Sequence, residues 1–593
     1  MEQNSFEKRN LILAVIFSAI ILFGIDALFP TPPVVPQTPP KTVSAPQSGT
    51  SAPAPAAKDT NGAAPVTLSA ENLVAANAAA AASATVQPRE DVVDSFRHMP
   101  VKTPSLAGSI RLKGVRFDNL LLTRYRETLA KDSPNIVLFS PVGTEYPYFA
   151  EFGWVTNESG ISLPTAETLW ETSNDELTDA KEVTLSWDNG QGLKFIRQIS
   201  VDKNYMFKIS DRVENYGDRP VTLFNYGLVG RTNVPPTQRG AVHEGMVGYL
   251  DGALKELNYD KIAKEGQATY KTTGGWAGIT DKYWMAILAF DQSAQNVFVK
   301  FSENKTPGGK HYQADYLLPP TVVEPGKAVQ TTAHMFAGAK ELKIIDAYEK
   351  TLGIERFDLT VDFGWYYFLT KPFFFILSYF YGLLGNMGLA ILLFAFLLRL
   401  AMFPIANKSF ENMAKMKELQ PQIQKLQERC GDDKMRFNQE MMALYRREKV
   451  NPAAGCLPML IQIPVFFSLY KVLYISLELR QAPFYGWIHD LSAPDPTSVF
   501  TLFGLINWPI PTALNIGVWP VLMGLTMWLQ QQMSPKPTDK TQNTILTLMP
   551  WMMMFLLGHL ASGLVIYWTW SNLLSIAQQA ALKLKDKRKG RRK

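Results

Sequence analysis

The pattern of hydrophobic and polar positions divides the chain of 593 residues into four parts. Residues 11–29 form an almost continuous apolar run, and residues 30–105 are dominated by proline and small residues. Residues 106–353 carry short runs in which apolar and polar positions alternate, which predicts β-strands. After these residues the apolar runs become long enough for helices that cross a lipid bilayer. The pattern therefore predicts a polytopic α-helical membrane protein with a large all-β domain ahead of its helical part.

The first apolar run follows two basic residues and contains one charge, Asp26. A cleavable signal peptide is the alternative to a membrane anchor. The run is long for a signal peptide, however, and FPTPPVVP after it offers no small-residue cleavage site. We therefore predict an uncleaved anchor at residues 1–29. Residues 30–105 contain too few bulky apolar side chains to fold alone, so they predict a disordered tether.

Residues 106–353 predict a β-sandwich. The runs VTLSW (183–187) and LKFIRQI (193–199) are joined by a turn that contains Asn189-Gly190, a strong signal for a β-hairpin. Such runs are too short, and their polar faces too charged, for a membrane barrel. A helix at residues 339–352 is predicted to close the domain.

One predicted membrane helix carries a charge that hydrocarbon disfavours. Residues 385–404, GNMGLAILLFAFLLRLAMFP, are long enough to cross an apolar core of ~30 Å, and Arg399 lies about 7–8 Å inside the end marked by Pro404. A guanidinium at such depth costs roughly 2.5–3.5 kcal/mol on insertion scales. Either the side chain extends to the interface, or it faces a water-filled cavity. The later apolar segments contain no Asp or Glu, which favours the cavity because they supply no counter-ion.

The rest of the helical part contains three further segments. Residues 354–384 are dense in aromatic side chains and predict an interfacial amphipathic helix, with one long tilted span as the alternative. Residues 385–582 predict a core of five membrane helices. Within this core, residues 407–449 predict a charged helical hairpin, which is either a solvated pair of helices or a docking surface for cytosolic partners. Residues 583–593 form a basic tail.

Charge counts predict the orientation of the chain. The first ten residues, the hairpin, residues 534–542 and the tail together hold 22 basic and 11 acidic residues, whereas the whole chain has a net charge of only +6. The positive-inside rule therefore places these four segments in the cytoplasm. The resulting prediction is six spans, with both termini cytoplasmic and the β domain on the outer side of the membrane.

Composition argues against several kinds of chemistry. The two cysteines, Cys430 and Cys456, give no disulfide framework, and the six histidines lack metal-ligand spacing. His243 and Glu244 could form an acid–base pair, although an exposed loop explains these neighbours more simply. No phosphate-binding loop is found. We predict no catalytic residue, no metal site and no cofactor.

Three strings carry a family resemblance. GDDKMRFNQEMMALYRREKVNPAAGCLPMLIQIPVFFSLYKVL, RQAPFYGWIHDLSAPDP and SGLVIYWTWSNLLSIAQQ closely resemble the YidC/Oxa/Alb membrane protein insertases, over residues 360–582. The anchor, tether and β domain resemble the Gram-negative form, whose periplasmic domain is a β-supersandwich. The resemblance implies an insertase and chaperone of the bacterial inner membrane. Its five-helix core would enclose a hydrophilic groove that is open to the cytoplasm and to lipid but closed outside.

The resemblance also implies which side chains line the groove. The family has a transmembrane arginine, a glutamine in the next span and an aromatic in the last span, with further polar groups nearby. The corresponding residues are Arg399, Gln462 and Trp568, with Tyr567, Ser571 and Asn572 beside them. Ala395, one turn before Arg399, stands where some relatives carry a hydroxyl. The glutamine could instead serve only as a hydrogen bond between helices.

The implied partners are nascent membrane proteins, the ribosome, the Sec translocon with its accessory subunits, the signal recognition particle receptor and the lipid bilayer. Charged residues of the hairpin and the tail are predicted to dock these partners. They are Lys415, Lys417, Arg429, Asp432, Asp433, Arg436, Lys587, Arg588, Arg591 and Arg592.

Two other functions fit the sequence less well. A secondary transporter or anion channel would show an inverted repeat among the spans, and none is visible. A membrane-anchored enzyme that binds or epimerises sugars would leave the five core helices without a role.

Overall fold

The computed structural model describes residues 86–235, 242–306, 308–431, 433–451, 457–503, 505–506, 515–533 and 540–590. The predicted anchor, the tether up to residue 85, Asp432, Arg591 and Arg592 lie outside these residues. Side chains are described for fewer residues at some edges, and those of Lys587 and Arg588 lie outside the described ones.

The β domain contains twenty strands within the described residues. They are β1 (His98–Lys102), β2 (Leu106–Arg111), β3 (Arg116–Arg126), β4 (Asn135–Phe139), β5 (Tyr148–Val155), β6 (Glu171–Thr172), β7 (Leu177–Thr178), β8 (Val183–Asp188), β9 (Leu193–Val201), β10 (Met206–Asn215), β11 (Val221–Thr232), β12 (Gly245–Leu250), β13 (Ala253–Asn258), β14 (Gln267–Thr272), β15 (Trp276–Thr280), β16 (Trp284–Ala289), β17 (Val297–Thr306), β18 (Gly309–Leu317), β19 (Thr321–Val323) and β20 (Ala328–Ala339).

These strands form two large sheets. One has eleven strands in the order β14-β17-β18-β11-β5-β3-β2-β1-β7, with β19 on β11 and β4 on β3. The other has nine strands in the order β13-β12-β15-β16-β20-β10-β9-β8-β6. Strands β8 and β9 pair antiparallel around Asn189-Gly190, which confirms the predicted hairpin. Alternate side chains of the two sheets pack into one apolar core, so the predicted sandwich is confirmed.

The β domain begins earlier than the sequence pattern indicated. Strand β1 pairs with β2, and its Met99 and Val101 are 1% and 0% exposed. The prediction that the tether extends to residue 105 is therefore wrong. The apolar side chains of β1 do alternate inward. The sequence pattern did not predict this strand, because prolines such as Pro100 and Pro104 usually argue against a strand.

Eleven α-helices are found among the described residues, three of them in or beside the β domain. They are α1 (Arg89–Asp94), α2 (Tyr259–Glu265), α3 (Leu342–Leu352), α4 (Tyr367–Leu384), α5 (Met387–Ala401), α6 (Phe403–Cys430), α7 (Lys434–Arg447), α8 (Leu457–Ile475), α9 (Val518–Met533), α10 (Lys540–Leu557) and α11 (Ser562–Gly590). Helix α3 is the predicted closing helix.

Helices α6 and α7 form the predicted hairpin. Leu419 and Ile423 of α6 are buried against Leu444 and Tyr445 of α7, so the 3/4-spaced apolar stripe does mark the contact face. The second arm begins at Asp433, whose carboxylate accepts the backbone N–H of Arg436 at 3.0 Å. An acidic side chain at this position caps the helix, as the sequence predicted.

Length and apolar composition single out few of the described helices as spans. Helix α4 meets both criteria alone, and α5 with α6 meets them as a pair bent by 64°. The apolar stretches Leu460–Ile475 and Asn543–Leu557 are shorter. The interfacial position of α4 and the total of six spans therefore stay predictions.

A buried ion pair joins two neighbouring strands of the nine-stranded sheet. Arg197 and Asp211 lie directly opposite each other on β9 and β10, at 1% and 3% exposure. The Arg197 Nε and Nη2 donate to the two carboxylate oxygens at 2.6 and 2.9 Å. The Trp170 ring covers the guanidinium at 5.4 Å, and Asn225 Nδ2 donates to the same carboxylate at 3.2 Å. Both charges are therefore compensated inside the sandwich.

We expect Asp211→Ala to destabilise the sandwich by about 3–5 kcal/mol, because it leaves the Arg197 guanidinium buried without its partner. The matched control is Glu214→Ala on the same strand, which breaks the exposed pair with Arg212 and should cost less than about 1 kcal/mol. Chemical unfolding of the full-length protein in detergent, followed by near-ultraviolet circular dichroism, measures both. Equal destabilisation by the two variants would contradict this account.

Candidate functional site

Helix α5 carries Arg399 in its last turn. The helix begins at the N-cap Asn386, whose side-chain oxygen accepts the N–H of Leu389 at 3.0 Å, and it ends at Ala401. At that point the chain bends by 64° into α6, which has proline in its first turn. A cation in the last turn interacts favourably with the carbonyl end of the helix dipole. The bend places Arg399 where the apolar helix meets the charged hairpin.

The Arg399 side chain contacts hydroxyl groups on α11. Its Nη2 donates to the backbone oxygen and the Oγ of Ser571, both at 3.1 Å, and to the Oγ of Ser575. The guanidinium is half-buried. None of the ion pairs found among the described residues includes Arg399. Among these described contacts, neutral hydroxyls and a backbone carbonyl take the place of a carboxylate.

A second polar contact joins α8 to the same face of α11. Gln462 Nε2 donates to the hydroxyl of Tyr567 at 3.0 Å, and Tyr567 is 2% exposed. Tyr567 also lies within electrostatic range of Arg399. Because Tyr567, Ser571 and Ser575 are spaced by four residues, they follow one another along a single helix face. Helices α5, α8 and α11 thus bring their polar groups together in one row.

The row continues toward the hairpin through residues that the sequence analysis did not select. Gln578 Nε2 donates to the Oδ1 of Asn407, in the second turn of α6, at 2.8 Å. Ser575 and Gln578 lie eight and eleven residues after Tyr567, so they belong to the same helix face. This spacing of polar residues in an apolar helix was visible in the sequence and could have identified both.

Two predicted groove residues lie on a neighbouring face of α11. Trp568 packs edge to face on Phe466 of α8, with ring centroids 4.6 Å apart, and joins a methionine-rich cluster with Met523. Asn572 Nδ2 donates to the Oγ1 of Thr526 on α9 at 3.2 Å. These two side chains therefore hold helices together and are not part of the row around Arg399.

The predicted docking residues of the hairpin are at the surface. Lys415, Lys417, Arg429, Asp433 and Arg436 are all exposed. Two of them also have local structural roles, since Asp433 caps α7 and Arg436 pairs with Glu440 at 3.0 Å. Docking of partners by the exposed lysines and Arg429 stays a prediction.

His243 and Glu244 do not show the arrangement of an acid–base pair. The His243 ring bonds the backbone oxygen of Met246 at 2.9 Å, and its backbone N–H donates to Asp362. Burial lowers the pKa of His243.

Comparisons with known proteins cover almost the whole chain. The family profile described as "YidC periplasmic domain" matches residues 98–376, and the profile described as "60Kd inner membrane protein" matches residues 379–589. The membrane protein insertase YidC of Beijerinckia indica subsp. indica is 47% identical over 587 residues, covering 97% of this chain and 96% of the relative. The chain belongs to the YidC family of membrane protein insertases.

Other YidC relatives agree. The membrane protein insertase YidC of Bradyrhizobium diazoefficiens is 46% identical and covers 97% of this chain and 96% of its own length. That of Rickettsia rickettsii is 46% identical over 502 residues, with coverage of 84% and 90%. The predicted family resemblance is therefore confirmed. The β domain corresponds to the family's periplasmic domain and the helices to its inner-membrane insertase region.

Solved structures resemble the chain more distantly. An active YidC insertase with its first transmembrane domain resolved covers 86% of this chain and 97% of that chain at 18% identity, with a TM-score of 0.34. A galactose mutarotase-related enzyme from Lactobacillus acidophilus covers 41% of this chain and 97% of that chain at 12% identity, with a TM-score of 0.29. Both TM-scores are low, so the family assignment rests on the sequence relatives.

We expect the hydrogen bond between Gln462 and Tyr567 to contribute about 0.6 kcal/mol, the average for polar contacts between membrane helices, and at most about 1.7 kcal/mol. A double-mutant cycle with Gln462→Leu and Tyr567→Phe measures it through unfolding of the protein in bicelles. The control cycle combines Gln462→Leu with Asn572→Leu, whose native contact is to Thr526 and which should show a coupling near zero. Equal couplings in the two cycles would contradict the contact.

Proposed function

We propose that this chain inserts client membrane proteins through a polar groove formed by α5, α8 and α11, with Arg399 at its centre. The observation that supports this most is how Arg399 is held: by three hydrogen bonds to neutral oxygens and by no carboxylate of the described residues. Hydroxyl partners leave the positive charge uncompensated. A client carboxylate or water can therefore exchange with Ser571 and Ser575 without first breaking an ion pair.

Such a groove lowers the barrier for moving a short polar segment across the bilayer. Polar groups from Asn407 to Tyr567 would line the route by which water enters the proposed groove from the hairpin side. The hydrophilic end of a client would then cross a thinner apolar layer, while its apolar segment leaves sideways into lipid. The process forms and breaks no covalent bond, so the proposed activity is non-enzymatic and uses no metal or cofactor. Client hydrophobicity and the membrane potential supply the energy.

We further propose the domain arrangement that the charge counts predicted. Residues 1–29 anchor the chain, residues 354–384 lie along the membrane surface, and residues 385–582 contribute five of six spans, with both termini cytoplasmic. The hairpin and the basic tail then face the ribosome. The Sec translocon, its accessory subunits and the signal recognition particle receptor are the further proposed partners. The transporter or channel alternative has no support from the family assignment.

We expect Arg399→Ala to reduce insertion of clients with acidic translocated tails roughly 5–30-fold, which corresponds to a loss of about 1–2 kcal/mol of attraction. Arg399→Lys should retain much of the activity, because one nitrogen makes all three native contacts. Arg399→Glu should be the most impaired, since attraction becomes repulsion in a partly dehydrated site. Insertion yield into proteoliposomes is measured for clients that differ only in tail charge, at equal protein level. Equal yields for the three variants would rule out the electrostatic role.

The tail from residue 583 holds eight basic residues and one acidic residue, a composition that suits ribosomal RNA and anionic lipid alike. We expect deletion of residues 583–593 to weaken ribosome association and to reduce its dependence on salt. Co-sedimentation of the protein with ribosomes across a salt titration measures both effects. An unchanged titration would show that the tail serves only to orient the last span.

A further inference from the structure

The apolar helices α4 and α8 each contain one charged residue, a lysine. Lys371 is the only charge in α4, and Lys471 is the only charge in α8. A lysine near the end of a membrane helix commonly extends its ammonium group to the interface. Both lysines in fact bind the segment that joins the β domain to the membrane part, residues 354–365, which we call the linker.

The linker supplies one carboxylate to each lysine. Lys371 Nζ lies 2.7 Å from the Oδ2 of Asp358 and 3.4 Å from the Oδ1 of Asp346 on α3. Lys471 Nζ lies 2.8 Å from the Oδ2 of Asp362. The paired side chains are only 4–22% exposed, so solvent screens these pairs much less than it screens ordinary surface pairs. We call the Asp358–Lys371 and Asp362–Lys471 contacts the linker ion pairs.

The two carboxylates are held in place from the β-domain side. The Oδ2 of Asp362 also accepts the backbone N–H of His243 at 2.9 Å, and its Oδ1 accepts the N–H of Gly364 at 3.0 Å. The N–H of Asp358 donates to Glu349 on α3 at 3.0 Å. The β domain and the linker therefore orient each acid independently of its contact with a membrane helix.

Aromatic side chains follow the same route through the linker. Phe357 packs on Trp276 and Phe336 of the sandwich, with ring centroids 6.0 and 5.8 Å apart. Phe363 packs on Tyr367 and Phe374 of α4 at 5.6 and 6.4 Å. The apolar core is thus continuous from the sandwich into the helices, and the linker is a packed element and not a flexible connection.

Electrostatics agrees with this geometry. Burial alone would raise the pKa of Asp358, but Lys371 and the Tyr367 hydroxyl hold the pKa of Asp358 below its ordinary value. Burial would likewise raise the pKa of Asp362, and Lys471 lowers it instead. The ordinary pKa of an aspartate carboxyl is 3.8. A carboxylate whose pKa is lowered in the folded protein stabilises the fold at pH values above 3.8, and this stabilisation is lost only as the pH falls below 3.8. The linker ion pairs therefore persist at neutral and mildly acidic pH.

We propose that Asp358 and Asp362 are positioning residues for insertion, which hold the outer ends of α4 and α8 against the β domain. Helix α8 carries Gln462 nine residues before Lys471, about 13–14 Å along the helix. Fixing its outer end therefore determines where Gln462 meets Tyr567 in the proposed groove. The effect on insertion rests on the proposed function, whereas the linker ion pairs can be measured without any client.

The first measurement is amide hydrogen exchange of the full-length protein in lipid nanodiscs. Lys471→Met and Asp362→Asn should each speed exchange at His243 and Gly364 about tenfold, because both N–H groups donate to the Asp362 carboxylate. The double variant should be no worse than either single variant, since the pair is already broken. Lys471→Arg should restore protection because it keeps the cation. The matched control, Lys310→Met, removes an exposed lysine of the β domain and should change nothing.

The second measurement is insertion yield with the same variants at equal protein level. Lys471→Met and Lys371→Met should lower the yield for every client, whatever its tail charge, and Lys471→Arg should restore it. Arg399→Ala differs from them, because it should affect acidic clients selectively and leave exchange at His243 and Gly364 unchanged. A failure of the groove proposal and a failure of this one are therefore distinguishable.

Two results would overturn the proposal. Unchanged exchange at His243 and Gly364 in both single variants would show that the pair does not hold the linker. Faster exchange with undiminished insertion would show that the linker ion pairs stabilise the contact between the β domain and α8 without positioning the groove.

Discussion

A positive charge within an apolar helix must find a partner, and this chain satisfies that requirement in two ways. Lys371 and Lys471 bind carboxylates outside their own helices. Arg399 binds only neutral oxygens among its described contacts. The first arrangement compensates the charge and attaches a helix to the β domain. The second leaves the charge uncompensated, which costs free energy but keeps the site able to exchange partners. In the proposed function, this difference separates the structural cations Lys371 and Lys471 from the functional one, Arg399.

Helix α8 takes part both in the attachment to the β domain and in the polar row around Arg399. Its outer end bears Lys471 and contacts the linker, and its middle bears Gln462 and contacts α11. Further contacts at the outer end come from the sandwich, where Lys282 places its Nζ 3.6 Å from the ring centroid of Tyr474. The loop after α8 adds the guanidinium of Arg480, which donates to the backbone oxygen of Arg126 at 2.7 Å. The β domain therefore contacts both the outer end of α8, which contributes Gln462 to the polar row, and the loop that follows α8.

The sequence predicted what depends on local pattern. Alternation and Asn189-Gly190 predicted the sandwich and its hairpin, and Asp433 predicted the start of α7, because turns and caps are determined by neighbouring residues. Arg399 was identified because a charge in an apolar run stands out. Contacts between distant segments were not predictable in this way. Asp362 lies 109 residues from Lys471, and only the fold brings them together.

For the proposed groove, too, the sequence identified candidate residues but not the contacts that each of them makes. Family resemblance selected six residues on three helices without stating which way each faces. Trp568 and Asn572 follow Tyr567 and Ser571 directly, yet one residue turns a helix by about 100°, so they contact different neighbours. Ser575 and Gln578 lie on the correct face and within a string that carries the resemblance, but they were not among the six residues selected.

The outer end of α5 has its own constraint at Gly388. A Cβ atom at this position would lie 2.0 Å from the ring of Phe484, in the loop that follows α8, so the ring sits directly on the helix backbone. Nearby, the N–H of Gly563 donates to the backbone oxygen of Leu491 at 3.0 Å, which brings the start of α11 against the same loop. This end of the helix bundle is therefore tightly packed, whereas the row of polar groups extends toward the hairpin. In the proposed groove, water would carry the cytoplasmic potential inward as far as Arg399, and the voltage would fall across the short packed layer that remains. The same membrane potential then produces a steeper electric field, and a charged client tail experiences most of its electrical driving force in that layer.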